Sequence, residues 1–299
     1  MKSTDITVII PTYNRAATLE RAVDSVLRQT IGPVQILIVD DASTDESPLL
    51  LDKLEARYAN LTVLRQEKNA GACAARNRGI AYAATPYIAF LDSDDAWLPE
   101  KLERQAAFLE RENADIVVCS VWRVERGRRR LYPDKHHCGD LHADLLRGNF
   151  ISTGMIFGKR ACFLGGFDPR LPRLQDWDLM LGLTKTYRVC HLHEPLANYY
   201  IQSDSISMNH GKLRTAGAIV FEKYRDEFTA DPAALAHILS LRAMAELMTE
   251  GSEFHRFSTA ALKARATPRT LVLALAAELG LAHNLRLFQE KRLGRRCGR

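Results

Sequence analysis

Residues 36–39 read Ile-Leu-Ile-Val with no polar residue among them. A strand with one wet face alternates apolar and polar side chains, so this segment must be covered on both faces, the condition of a parallel strand sandwiched between helices. Similar short runs at Thr7–Ile10, Leu61–Leu64, Tyr87–Leu91 and Asp115–Val121 are expected as its neighbours, with Gln35–Val39 as the second strand. Segments with helical spacing separate them. Leu19, Ala22, Val23, Val26 and Leu27 form one apolar face and Leu50, Leu51, Leu54 and Tyr58 another. Ala72–Ala83 and Pro99–Glu112 supply two more helices, with Pro99 suited to a first turn, where its missing N–H has no partner to lose. Strands and helices in alternation predict an α/β fold: a mostly parallel central sheet flanked by helices.

The chain's 299 residues leave room for such a core and an appendage. From Thr215 the composition turns helical, with Ala, Leu, Glu and Arg at helical spacing through Glu250 and again over Pro268–Leu293. A boundary near Met208–Arg214 is expected, giving a catalytic-type domain over residues 1–210 and a helical extension over 211–299. Residues Arg123–Asn149 show little periodicity and are read as a long active-site loop.

The charge is unevenly placed. Of the net charge of +5, all is accounted for between Arg286 and Arg299, where Arg286, Lys291, Arg292, Arg295, Arg296 and Arg299 face one acid, Glu290. The remainder is balanced, which argues against nucleic acid as a partner and for a neutral globule with a cationic end. Such a tail suits peripheral contact with an anionic membrane. The longest apolar stretch, Leu271–Ala282, is too short to span a bilayer and contains Glu278. The polar start Met1–Asp5 lacks the features of a signal peptide, so a cytoplasmic location is expected, at most peripheral at the inner face of the membrane. Six scattered cysteines are read as reduced thiols. His136-His137-Cys138 with His142, and Cys190-His191-Leu192-His193, lack zinc-site spacing. In the second group, strand alternation would put His191 and His193 on one face and Cys190 on the other.

Function is expected where strands end, because ligands of open α/β sheets bind beyond the carboxyl ends of the strands. Three strands run into polar segments: Pro11-Thr12-Tyr13-Asn14-Arg15, Asp40-Asp41-Ala42-Ser43-Thr44-Asp45 and Asp92-Ser93-Asp94-Asp95. Single acidic turns cap helices, but acids from several strands converging on one cleft repel each other unless a cation sits among them. Mg²⁺ or Mn²⁺ carrying a diphosphate meets that need, taking one or two carboxylates and filling its shell with phosphate oxygens and water. The stretch Asn69–Gly79 adds Gly71, which lets a ligand approach backbone, and Arg76, which can pair with phosphate.

Together, Val8-Ile9-Ile10-Pro11-Thr12-Tyr13-Asn14-Arg15, Val39-Asp40-Asp41-Ala42-Ser43-Thr44-Asp45, Asn69–Gly79, Phe90-Leu91-Asp92-Ser93-Asp94-Asp95, Gly165-Gly166-Phe167-Asp168, Gln175-Asp176-Trp177-Asp178-Leu179 and Glu194-Pro195-Leu196 resemble the family 2 glycosyltransferases of the GT-A fold, a Rossmann-like α/β architecture. The resemblance covers about residues 5–207 and implies transfer of a sugar from a nucleotide donor with inversion at the anomeric carbon. By position it places Pro11, Thr12 and Tyr13 along the nucleotide and Asp41 on the uracil ring of a UDP-sugar. Arg15, Gly71 and Arg76 would border the base and diphosphate, with Asp92 and Ser93 near the ribose or donor sugar. Asp94 would ligate Mn²⁺ or Mg²⁺, and Asp176 would be the catalytic base. Asp95 is expected to cap the following helix. The acceptor would be a glycan or lipid-linked saccharide of cell-surface polysaccharide or lipopolysaccharide synthesis.

Three positions depart from the family's pattern: Gln175 for a frequent Glu, Gly182 for an Arg, and Tyr199-Tyr200-Ile201-Gln202, which lacks the Arg and His often found before Ser205-Ile206-Ser207. The missing His removes a metal ligand, for which His210 is the nearby candidate. Two other functions fit the acidic cleft: a nucleotidyltransferase, which would release pyrophosphate, and a nucleotide-binding module without catalysis.

Overall fold

A computed structural model describes residues 1–32, 34–201 and 209–297, with the side chains of 292–297 undescribed; Gln202, Ser205-Ile206-Ser207, Met208 and Arg299 lie outside it. Two compact units are present. The first comprises Met1–Leu141, Phe150–Pro169 and Asp176–Tyr200, and the second His142–Asn149, Arg170–Gln175 and Ile201–Arg299.

The chain opens with β1 (Ile6–Thr12), α1 (Ala16–Leu27), β2 (Gln35–Asp40), α2 (Ser47–Arg57), β3 (Leu61–Arg65), α3 (Ala72–Tyr82) and β4 (Tyr87–Phe90). These strands form a parallel sheet in the order β3-β2-β1-β4, and β1 is buried over all seven residues, as a central parallel strand must be. Helix α1 buries Leu19, Ala22, Val23 and Val26 against it. Helix α3 lies closer still: a Cβ on Gly79 would stand 2.6 Å from Ile9 Cγ2, so only glycine allows this packing.

Beyond β4 the sheet becomes mixed. The elements are β5 (Ala96–Trp97), α4 (Lys101–Arg111), β6 (Ile116–Glu125), β7 (Arg128–Tyr132), α5 (Leu141–Arg147), β8 (Ile156–Lys159), α6 (Gln175–Leu183) and β9 (Val189–Tyr200). β8 runs antiparallel between β4 and β6, β9 is parallel to β6, β5 pairs antiparallel with β9, and β7 hangs from β6 as a hairpin. The register of β6 with β9 slips around Ser120, opposite Pro195, where proline cannot donate to the ladder.

Two expectations are corrected here. Residues Arg123–Asn149 are not one long loop: β6 continues to Glu125, Arg126 and Gly127 turn with positive φ, and β7 and α5 follow. The three exposed arginines of β7 conceal its strand alternation. Asp95 does not cap α4, whose N-cap is Glu100; β5 intervenes, and the Asp95 carboxylate instead accepts the Tyr200 backbone N–H at 2.9 Å.

The helical composition from Thr215 resolves into α7 (His210–Lys223), α8 (Arg225–Ala230), α9 (Pro232–Met248), α10 (Phe254–Ala264), α11 (Pro268–Glu278) and α12 (Ala282–Cys297). Local chemistry sets the starts. Asp231 accepts the N–H groups of Ala233 and Ala234 with Pro232 at the first helical position, and Thr267 accepts that of Thr270 ahead of α11. Leu239, Ala243 and Leu247 of α9, Phe254, Phe257 and Ala261 of α10, and Leu273 and Ala276 of α11 form the core of this unit.

Candidate active site

The acidic strand ends of the first unit are held by a lattice of local bonds. Asn14, at φ 50°, joins the β1–α1 connection to the one after β2. Its N–H donates to Ser43 Oγ (2.9 Å), and its Oδ1 accepts the N–H groups of Thr44 (2.8 Å) and Asp45 (3.3 Å). The Arg15 N–H donates to Ser47 Oγ at 2.9 Å. Ala42 adopts φ 60°, a conformation that costs a non-glycine residue about 1 kcal/mol or more and is kept here by the surrounding bonds. Along this edge Pro11 and Thr12 are buried, whereas Tyr13 is 43% exposed, a ring able to stack on a planar base. The Thr12 hydroxyl is buried with no hydrogen-bond partner among the described residues.

Asp41 ties this edge to α3. Its Oδ1 accepts the Ala70 N–H (2.8 Å) and Gln66 Nε2 (2.5 Å), and its Oδ2 accepts the Gly71 N–H (2.8 Å). Gly71 has φ 88° and ψ 164°, a region essentially reserved for glycine, and a Cβ there would meet nothing within 4 Å. The bare backbone before α3 therefore faces open space, at a helix N-terminus that favours an anion.

Arg76 is 6% exposed, and its Nη2 donates to Asp92 Oδ1 at 2.6 Å while its guanidinium lies 5.3 Å from the Phe167 ring centre. Phe167 is fixed in turn by Asn77, whose Nδ2 donates to the Phe167 carbonyl (2.8 Å) and whose Oδ1 accepts the Phe167 N–H (2.7 Å). That double bond explains Gly166, since a Cβ would come 2.7 Å from Asn77 Oδ1. Phe90, just before the acidic segment, packs edge-on against Phe163 and Phe167.

Ser93 and Asp95 are buried, and Asp92 and Asp94 keep about a quarter and a fifth of their side-chain surface exposed. Arg15 Nη2 stands 3.8 Å from Asp94 Oδ2, and Arg21, stacked on Tyr200 at 4.0 Å, donates to the Asp94 carbonyl. Burial, reinforced by the charges of Asp94 and Asp92, pushes the Asp95 carboxyl well above the usual carboxylate range. Such a build-up of negative charge, made of hard oxygen donors, suits Mg²⁺ or Mn²⁺. Among the described residues no three His, Cys, Asp or Glu side chains gather to hold an ion by themselves. The donor set fits a cation held by Asp94 together with a ligand's phosphate oxygens.

Asp176 is the second residue of α6, its Oδ1 accepting the Trp177 N–H at 2.7 Å, two residues after Leu174 at φ 62°. Burial pushes the Cys73 thiol on α3 up to about 12; Arg76 opposes this, and Asp168, Asp178 and Asp176 add to it. Burial and then the charge of Asp176 push the Tyr132 hydroxyl at the end of β7 up to about 12 as well. The Asp176 charge thus acts on Cys73 of α3 and on Tyr132 of β7. Nothing in the sequence pointed to Tyr132 or Arg21. His210 begins α7 in the second unit, where burial and the charge of Arg173 lower its pKa.

The histidines of the two unzinc-like groups do meet. His191 and His193 share a face of β9, ring centres 5.5 Å apart, with His136 5.6 Å from each. His191 Nδ1 accepts the His137 N–H, its Nε2 contacts Ser120 Oγ at 3.1 Å, and burial followed by the neighbouring imidazoles pushes its pKa down to about 3. It packs as a neutral core residue.

Residues 7–168, more than half of the chain, match the family model described as Glycosyl transferase family 2. Among curated proteins the chain is 32% identical over 228 residues to the amylovoran biosynthesis glycosyltransferase AmsB of Erwinia amylovora, covering 71% of this chain and 75% of that one. It is 37% identical over 112 residues to the UDP-Glc:alpha-D-GlcNAc-diphosphoundecaprenol beta-1,3-glucosyltransferase WfgD of Escherichia coli, covering 38% and 44%. Among solved structures, S. aureus TarS 1-349 in complex with UDP-GlcNAc superposes with a TM-score of 0.67 at 20% identity, covering 98% of this chain and 92% of that one. That likeness shows the GT-A fold.

Proposed function

The chain belongs to glycosyl transferase family 2, and from this premise we propose that it moves a sugar from a UDP-sugar, with inversion, onto a hydroxyl of a glycan or lipid-linked saccharide in the synthesis of a cell-surface polysaccharide or lipopolysaccharide. The observation that carries the reading is the Asp92–Asp94 segment after β4, with Arg76 bonded to Asp92 and Arg15 beside Asp94, in the same unit as the Asp176 carboxylate of α6. AmsB is a glycosyltransferase of amylovoran biosynthesis, and WfgD takes glucose from UDP-Glc to alpha-D-GlcNAc-diphosphoundecaprenol, which supports the choice of donor and acceptor.

Pro11, Thr12 and Tyr13 would line the nucleotide at the end of β1, with Tyr13 stacking on the base. Asp41 Oδ2, which carries one hydrogen bond, would accept a second from the uracil N–H. Arg76 holds Asp92 in place for the ribose or donor sugar, beside Ser93. Arg15 and the open backbone at Gly71 would meet the diphosphate, with Asp94 as the protein ligand of Mn²⁺ or Mg²⁺. Such an ion, when bound, offsets the charge that develops on the departing nucleoside diphosphate.

Asp176 would take the proton from the acceptor hydroxyl as it attacks, the general-base role a single displacement requires. It sits in the first turn of α6, where the helix dipole favours a carboxylate. These roles assign transfer to a domain over residues 1–210, with 211–299 as its helical extension. UDP-glucose, UDP-galactose and UDP-N-acetylglucosamine incubated with the full chain and Mn²⁺ should show slow release of UDP from one donor, removed by chelation. Folded protein that releases UDP from none of the activated sugars would overturn the reading.

A further inference from the structure

Helix α11 is apolar on both sides. Its inner side contributes Leu273 and Ala276 to the core of the second unit. Its outer side carries Leu271, Val272, Leu275 and Leu279, which are 44%, 53%, 56% and 66% exposed. At 3.6 residues per turn these four fall within an arc of about 100°, one continuous stripe opposite the buried one. On α12, Phe288 is 60% exposed in the same unit. Scattered single apolar residues on a surface are ordinary, but a full helical stripe of large ones marks a face that something covers.

The charge around the stripe narrows what that is. Residues 261–299 hold nine Lys and Arg against Glu278 and Glu290, a net charge of +7, whereas residues 1–260 hold 32 Lys and Arg against 34 Asp and Glu. Both acids are engaged, Glu278 with His255 at 3.1 Å and Glu290 with Arg286 at 3.2 Å. Two copies of so cationic a segment would repel one another. The complement must be apolar beneath an anionic layer, which is the chemistry of acyl chains under acidic headgroups. We infer that the outer face of α11, assisted by the basic residues of α12, docks this protein on an anionic lipid surface. No helix among the described residues is long and apolar enough to cross a membrane, so the contact is a shallow one. The inference rests on the second unit alone and stands whether or not the proposed sugar transfer does.

The test is sedimentation of the full chain with phosphatidylcholine vesicles containing or lacking phosphatidylglycerol. Partition onto the anionic vesicles alone is expected, weakening as salt is raised. Leu275→Ser with Leu279→Ser, and separately Lys291→Gln with Arg295→Gln and Arg296→Gln, should each cut the partition by about tenfold or more. Circular dichroism should show unchanged helix content, because both leucines point outward. Wild-type protein that stays in the supernatant, or serine variants that sediment like wild type, would overturn the inference. A concentration-dependent dimer dissolved by the serine substitutions, without vesicle binding, would assign the face to a second copy instead.

Discussion

Asp176→Asn is expected to lower kcat about 10²- to 10⁴-fold, the range a general base contributes, while leaving UDP affinity and thermal stability near wild type. The two expectations separate chemistry from scaffolding. Asp176 lies in the first turn of α6 and its carboxylate accepts the Trp177 N–H. Asn retains that acceptor oxygen and is as good a residue as Asp at a helix start, so the substitution should leave α6 in place. The amide has no basic oxygen of comparable strength and cannot take the acceptor's proton. A residue that served only as a helix cap would tolerate the change, with kcat within a fewfold of wild type. The check is steady-state kinetics alongside UDP titration by calorimetry. Equal losses of kcat and UDP affinity would contradict the assignment, because Asp176 is not placed on the nucleotide.

Arg76→Met is expected to lower the stability of the folded protein by about 2–4 kcal/mol, since a charge-assisted bond is lost and the acid it held remains partly buried. At this chain length that is a fall in Tm of about 3–6 °C in a thermal unfolding scan. The guanidinium is 6% exposed, bonds Asp92 at 2.6 Å and rests on Phe167. Met preserves the length and apolar packing of the stem but removes the charge, so the loss reads the ion pair and not a cavity. Asp92 keeps about a quarter of its side chain in solvent, which holds the cost below that of a fully buried pair. Activity should fall with it, as Asp92 would no longer be aimed. A Tm within a degree of wild type would show that Arg76 does not anchor the acidic segment.

Much of the first unit was legible because parallel strands covered on both faces write themselves as unbroken apolar runs. Ile36–Val39 is the clearest, and strands β1 to β4 fall within two residues of their expected bounds. The later strands left weaker marks. β8 has four residues, β5 two, β7 hides its alternation under Arg128, Arg129 and Arg130, and β9 carries Glu194-Pro195 within it. The acids at the strand ends were equally readable, being local to the strands that present them.

What could not be read was how distant residues use one another. Arg76 looks like a phosphate ligand in isolation, and its bond to Asp92, sixteen residues on, shows only in the fold. Asp41 braces the backbone of Ala70 and Gly71 from another strand. Tyr132 feels the charge of Asp176 only because a hairpin rich in arginine folds back. These are long-range contacts, set by topology and invisible to spacing along the chain.

The account's central claim is a single displacement at the anomeric carbon, driven by one base. Proton NMR of the product formed from an α-linked UDP-sugar tests it most directly, through the coupling constant of the transferred sugar's anomeric proton. A β linkage is the predicted result. An α linkage would require a second displacement through a nucleophile on the other face of the sugar, and would contradict the assignment of Asp176 as the base of an inverting transfer.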